Sequence, residues 1–212
     1  MPIQVAGRRR SAQSLAREFP GAEVIDVTSR AGEPWVRFSP FYPHGDIPVP
    51  GSPGVTGQSV EGIWQALKVF ESADIDPAKL AVTSMKGLKR TVRKHGRVLG
   101  HRDGLHGTRL LAYEEARRRI YLPAYRWILQ NKIADLVERL RERAREGDVV
   151  LLDYTVNGDV ADLATPLSHA ALIRRHLLDD WPAEQDHLGA GAQPWMTPKR
   201  VRAIRSSSMK SR

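Results

Sequence analysis

The 212-residue chain has a formal net charge of +9, with 41% hydrophobic and 27% charged residues, proportions of a soluble globular protein and not of a disordered or fibrous one. It contains no cysteine, which excludes disulfides, thiolate metal sites and cysteine nucleophiles and suits a reducing, cytoplasmic compartment. No apolar run approaches the roughly 18 residues of a membrane span, and no apolar region follows the arginine-rich start, so neither membrane anchor nor signal peptide is expected.

In chain order, residues 1–30 read as an N-terminal segment. Arg8, Arg9 and Arg10 follow a short apolar-polar run, and the β-branched stretch from Glu23 to Val27 predicts a short strand. Residues 33–41 are a second strand candidate, because Trp35-Val36-Arg37-Phe38 alternates apolar with polar. Residues 40–57 hold five prolines and several glycines and predict a long loop, of a length that is usually functional or disordered. Over 59–71, Val60, Ile63, Trp64, Leu67 and Phe70 recur at helical spacing, with Glu61, Gln65 and Lys68 as a polar stripe beside them.

Residues 78–82 read as either a helix start or a short strand, and 84–99 as a basic helix or a loop leading into one. A turn is expected at 100–107. A helix is predicted over 109–122, where Pro123 breaks or restarts it, and another over 124–146 on Leu129, Ile133, Leu136 and Leu140, closed by Gly147. The apolar run at 148–154 predicts a buried strand, 155–166 a loop with several acids, and Ser168 caps a last helix over 169–178. The sum is a mostly helical α+β fold with a few short strands, not alternating βαβ units. A single domain over 31–180 is expected to be followed by an irregular basic tail at 181–212.

The charge is segregated. Residues 79–102 carry eight lysines and arginines with no acid, and 199–212 carry six with no acid, leaving −5 for the rest of the chain. Such separation suits DNA or RNA bound through 79–102 and 199–212, although a solvated basic face would look the same. His95, His101 and His106 are spaced six and five apart among cations, which is not a metal-ligand pattern. No phosphate-binding P-loop or dinucleotide fingerprint is present, so ATP hydrolysis and redox chemistry are not expected. Neither a metal nor a cofactor is called for.

Glu61 enters its helix in the first turn, where the helix dipole favours a negative charge by about 0.3–1 kcal/mol. That alone would account for it. Ahead of it, however, runs the aromatic, proline-rich stretch Phe38-Ser39-Pro40-Phe41-Tyr42-Pro43, which cannot be a regular helix. With the segment from Ser59 to Lys68 it resembles the opening motifs of the NADAR family. Val60, Glu61, Gln65, Ala66 and Lys68 match residue for residue, while Gly62 stands for a histidine and Ile63 and Trp64 for two tyrosines. Weaker likenesses continue through residues 113–117, 130–136 and 150–159, so that the resemblance spans 35–178. Tyr113 stands where the family has tryptophan, and no Trp-Gly follows Asp159.

The resemblance implies a divergent NADAR-like hydrolase that cleaves an N-glycosidic bond of an ADP-ribosyl or phosphoribosyl compound, including an ADP-ribosylated base in nucleic acid. It implies Glu61 as the sugar-facing or water-activating carboxylate, Asp159 or Asp153 as the second, and Tyr113 stacking on or hydrogen-bonding the base. Lys68, Lys86, Lys89 and Arg90 would meet phosphate, with Phe38, Ser39, Trp64, Gln65 and Asn157 lining the substrate. Carboxylates suit this chemistry because bond cleavage leaves positive charge on the anomeric carbon. Two alternatives stay open: a non-enzymatic nucleic-acid-binding protein, and a family member that binds ADP-ribose without cleaving it.

Overall fold

The computed structural model of the chain describes residues 3–185. The elements in order are β1 (Ile3–Gly7), α1 (Ala12–Glu18), β2 (Glu23–Asp26), β3 (Ile47–Pro48), β4 (Thr56–Gly57), α2 (Val60–Leu67), β5 (Lys68–Phe70), α3 (Val92–His95), β6 (Val98–Arg102), β7 (Leu110–Leu111), α4 (Tyr113–Ala116), α5 (Leu122–Asn131), α6 (Ala134–Glu146), β8 (Val149–Asp153) and α7 (His169–Leu177). Trp35–Phe38 and Pro77–Ala81 are 3-10 turns, and Arg117–Tyr121 is a π-helical turn. The fold is α+β.

The apolar run at 149–151 has the central place its composition demands. β8 lies between β1 and β2, parallel to both, with Leu151 paired to Val5 on one side and Ile25 on the other. A strand covered on both faces reads as a continuous hydrophobic run. Here Val149 and Leu151 join the main core, while Val150 packs with Ala6 and Leu15 on the opposite face. Burying each such side chain contributes about 1.5–3 kcal/mol. β1 and the β1-α1-β2 crossover are additions to the sequence reading, which expected no βαβ unit. Residues 3–7 and 23–26 thus share one sheet with 149–153.

Four local expectations are corrected. Residues 33–41 form no strand: Trp35–Phe38 close into the 3-10 turn, the Ser39 N–H donating to the Val36 carbonyl at 2.9 Å, so the backbone bonds locally and pairs with no partner strand. The helix expected over 59–71 stops at Leu67, because Lys68–Phe70 pair with β6 instead. The basic stretch 84–99 holds a single helical turn, α3, and then enters β6, which also takes the start of the expected turn at 100–107. The helix expected over 124–146 is two, broken at Lys132–Ile133, where Ile133 leaves the helical region (φ −138°, ψ 29°) and buries its side chain. One straight helix of that length would run about 34 Å; the break lets both halves lie on the core.

Pro123 neither ends nor restarts its helix. It has no N–H to give, and just ahead of it Leu122 donates to Arg117 five residues back, widening the helix into the π turn.

α2 is the most enclosed helix of the fold, with all eight residues buried. Gly62 makes this possible. A Cβ there would lie 2.8 Å from the backbone oxygen of Lys79 and 2.9 Å from Ser59 Oγ, so the position has no room for a side chain. Gly62→Ala is therefore expected to lower stability by about 1–3 kcal/mol in urea unfolding, although alanine gains about 1 kcal/mol in helix propensity. Gly62→His should cost more still.

Candidate active site

The Ser59 hydroxyl caps α2 by accepting the Gly62 N–H at 3.0 Å, and the Glu61 N–H reaches back to the Pro40 carbonyl at 2.8 Å. The aromatic-proline loop and the helix start are thus tied together. The Glu61 side chain is only 8% exposed. Its Oε1 accepts from Gln65 Nε2 at 2.9 Å, while Gln65 Oε1 accepts the Arg90 N–H at 2.9 Å, which sets the orientation of the amide. Among the described residues the other Glu61 oxygen has no hydrogen-bond partner. Burial raises the Glu61 pKa; the Gln65 bond and the charges of Lys68 and Lys89 oppose this without cancelling it.

One turn along α2, the Trp64 ring meets His101 at 3.8 Å between centroids and Tyr113 and Tyr121 at 5.8 Å each, with Lys68 Nζ 5.9 Å away. Burial pushes the Tyr121 hydroxyl well above its ordinary pKa, and so do the charges of Glu61 and Asp153. Tyr121 also stacks on Tyr125, with ring centroids 6.0 Å apart. Tyr113, 39% exposed, stands at the rim. The Arg117 guanidinium backs it at 4.6 Å and is itself held by the carbonyls of Val160, Asp162 and Thr165 at 2.7–3.0 Å. Sequence reasoning missed Tyr121, His101 and Arg117. Pro123, the residue that widens the helix around Tyr121, was the one available signal.

Asp153 does not face a cavity. Its Oδ2 accepts from Ser168 Oγ at 2.8 Å, His169 Nδ1 at 2.9 Å and the Ala170 N–H at 3.3 Å, and its Oδ1 takes the Tyr154 N–H at 2.7 Å. His169 Nε2 lies 2.9 Å from the Val27 carbonyl. Both ring nitrogens face acceptors, so the imidazole is doubly protonated. Burial disfavours both charges, but the contact outweighs it: Asp153 is held below its ordinary pKa by His169, Ser168 and Tyr154, and His169 above its own by Asp153 and Val27. This knot ties β8, the end of β2 and the start of α7.

Asp159 is exposed and accepts the Ala161 N–H at 2.9 Å. It lines a 700 Å³ cleft with Gln4, Val5, Val156, Arg174 and Arg175, apart from Glu61. Asn157 clamps the carbonyls of Asp162 and Thr165. Phe38 is buried, its carbonyl accepting Tyr125 OH at 2.7 Å, and Ser39 Oγ accepts the Phe41 N–H; both shape the loop ahead of Glu61.

Of the cations, Lys68 is half-buried beside Glu61 and is lowered in pKa by burial. Arg90 caps the C-terminal end of α2, donating to the carbonyls of Gln65 at 3.3 Å and of Lys68 and Asp74 at 2.6 Å each. Lys89, exposed above Phe41, and Arg90 line a 370 Å³ cleft with Lys79, Lys94 and His95. Lys86 is exposed and lines neither cleft. His106 is exposed too, and among the described residues no three His, Asp or Glu side chains converge as a metal site. No helix among them is long and apolar enough to cross a membrane. The basic segment 199–212 lies outside the described residues.

Residues 7–173 match a family of unknown function, DUF6939. The match covers most of the chain, which belongs to that family. No curated protein matches the sequence. The family description names no activity and does not link the chain to NADAR proteins.

The Asp153–His169 pair makes stability depend on pH in a defined sense. Asp153, lowered below its ordinary 3.8, contributes stability that is present above that value and lost as pH falls through its folded pKa. His169, raised above 6.5, contributes stability that is complete below pH 6.5 and lost as pH rises through its folded pKa. Urea midpoints should therefore be highest between these limits. His169→Ala should cost about 3–5 kcal/mol at pH 6 by leaving a buried carboxylate unpaired, and should flatten the alkaline decline.

Proposed function

We propose that this chain is a hydrolase that cleaves the N-glycosidic bond of an ADP-ribosyl or phosphoribosyl compound, in the manner of the NADAR proteins its opening motifs resemble. The observation that carries this reading is Glu61: a buried carboxylate of raised pKa, oriented by Gln65, at the head of a helix whose next turn presents an aromatic cluster. Helix-dipole stabilisation does not require such a group to be buried.

In this mechanism the ionised Glu61 draws a proton from water and faces the positive charge that develops on the anomeric carbon. Its raised pKa makes it a stronger base than an exposed glutamate. Tyr113, stiffened from behind by Arg117, offers a face on which a departing base can stack, an interaction worth about 1–3 kcal/mol per base. Lys68 beside Glu61, and Lys89 at the edge of the basic cleft, are placed to meet phosphate. This mechanism uses one carboxylate, since both oxygens of Asp153 are occupied and Asp159 lines another cleft. A cytoplasmic setting suits both the substrate and the absence of cysteine.

Mass spectrometry of reactions with ADP-ribosylated bases and phosphoribosyl compounds should detect released base. Glu61→Gln should reduce turnover about 10²–10⁴-fold with the fold intact. Because a base must be ionised to act, kcat/KM should fall as pH drops through a pKa above the ordinary 4.5. Equal turnover by wild type and variant would remove Glu61 from the mechanism.

The cations of the 370 Å³ cleft favour one rival, a protein that binds nucleic acid without cleaving anything. Salt-dependent binding to arbitrary DNA or RNA that survives Glu61→Gln and fails in Lys89→Glu/Lys94→Glu, with no base released by wild type, would establish it.

A further inference from the structure

His101 is buried for no reason the architecture supplies. It sits on β6 opposite Lys68 of β5 and Leu111 of β7, is 0% exposed, and neither ring nitrogen has a hydrogen-bond partner. A buried donor or acceptor left unmet costs free energy that a phenylalanine of similar shape would not incur. What the ring does touch belongs to the candidate site. Its centroid lies 3.8 Å from that of Trp64, one helical turn from Glu61. Burial, then the charge of Lys68, keeps the imidazole neutral, with one N–H and one bare nitrogen.

Resting on the function proposed above, we infer that His101 is a further substrate-binding residue that hydrogen-bonds the leaving base once the base has inserted beside Trp64. The division of chemistry within the site argues for the base over the sugar or phosphate. Glu61 faces the sugar and the lysines face phosphate. A neutral imidazole among Trp64, Tyr113 and Tyr121 does little for a phosphate but suits the carbonyl or amide edge of a planar, uncharged group. Trp64 packs against the ring, and the half-buried Lys68 and the buried Leu111 are its cross-strand neighbours. A base reaches it by displacing one of them, and the contact repays the hydrogen bond that His101 lacks in the free protein.

Calorimetric titration of the full chain, in a Glu61→Gln background that prevents turnover, tests this with two probes. NAD carries an amide-bearing base, and ADP-ribose has the same sugars and phosphates without one. His101→Phe should weaken NAD about tenfold, the loss of one hydrogen bond, leave ADP-ribose within twofold, and raise the melting temperature. His101→Gln, which restores a donor and an acceptor, should recover most of the NAD affinity. Should the phenylalanine variant not fold, His101→Leu takes its place with the same probes.

Unchanged NAD affinity in the apolar variant would overturn the inference, as would an equal loss for both ligands, which would mean that His101 acts only by packing Trp64. ADP-ribose bound by the parent without NAD would also overturn it while leaving the proposed function standing. Binding of neither ligand by the parent would overturn both.

Discussion

A helix whose eight residues are all buried cannot keep a glutamate in water. α2 lies under the Pro40 loop at its start and against the Pro77–Ala81 turn along its side, and Gly62 lets that turn approach within a distance no Cβ would allow. Its polar groups must then find partners inside the protein. Ser59 takes an N–H at one end, and the Arg90 guanidinium takes carbonyls at the other. Gln65 bridges Glu61 and the Arg90 backbone. The Glu61 carboxylate is enclosed by this arrangement without a salt bridge, and its raised pKa is the direct result.

The two buried acids of the fold meet opposite fates for the same physical reason. Desolvation disfavours charge on both. Asp153 gains an imidazolium, a hydroxyl and two N–H donors, so its charge is retained and it serves the architecture. Glu61 gains one amide N–H and no salt bridge, and the charges of Lys68 and Lys89 do not cancel the cost of burial, so its proton is held more tightly and its second oxygen stays unengaged. Reactivity belongs with the group that the structure leaves incompletely satisfied. His101 is incompletely satisfied too, and it packs against Trp64, one helical turn from Glu61.

Arg117 couples the rim of the site to the loop that follows β8. Its guanidinium holds three loop carbonyls while its flat face supports Tyr113. A buried arginine used this way orders about ten residues of irregular chain through its rigid fork of donors. Asn157, which the resemblance implied would line the substrate, donates to two of the same carbonyls, those of Asp162 and Thr165.

Where periodicity or an apolar run was strong, the chain alone was decisive: β2, the core of α2, β8 and the Ser168-capped α7 were legible because each is stabilised mainly by its own pattern of burial. Elements that depend on a distant partner were not. β1 needs β8, β5 needs β6, and the break between α5 and α6 needs a core for Ile133 to enter. The same limit applies to the site. Sequence placed Asp153, Asp159, Arg90 and Asn157 among candidate ligands by residue type. Tertiary structure sent Asp153 to His169, Asp159 to another cleft, Arg90 to the end of α2 and Asn157 to its own loop, and it brought Tyr121 and His101 to Trp64 and Arg117 to Tyr113. Residue type decides which interactions a side chain can make; which of them it does make depends on what long-range packing brings within about 3 Å.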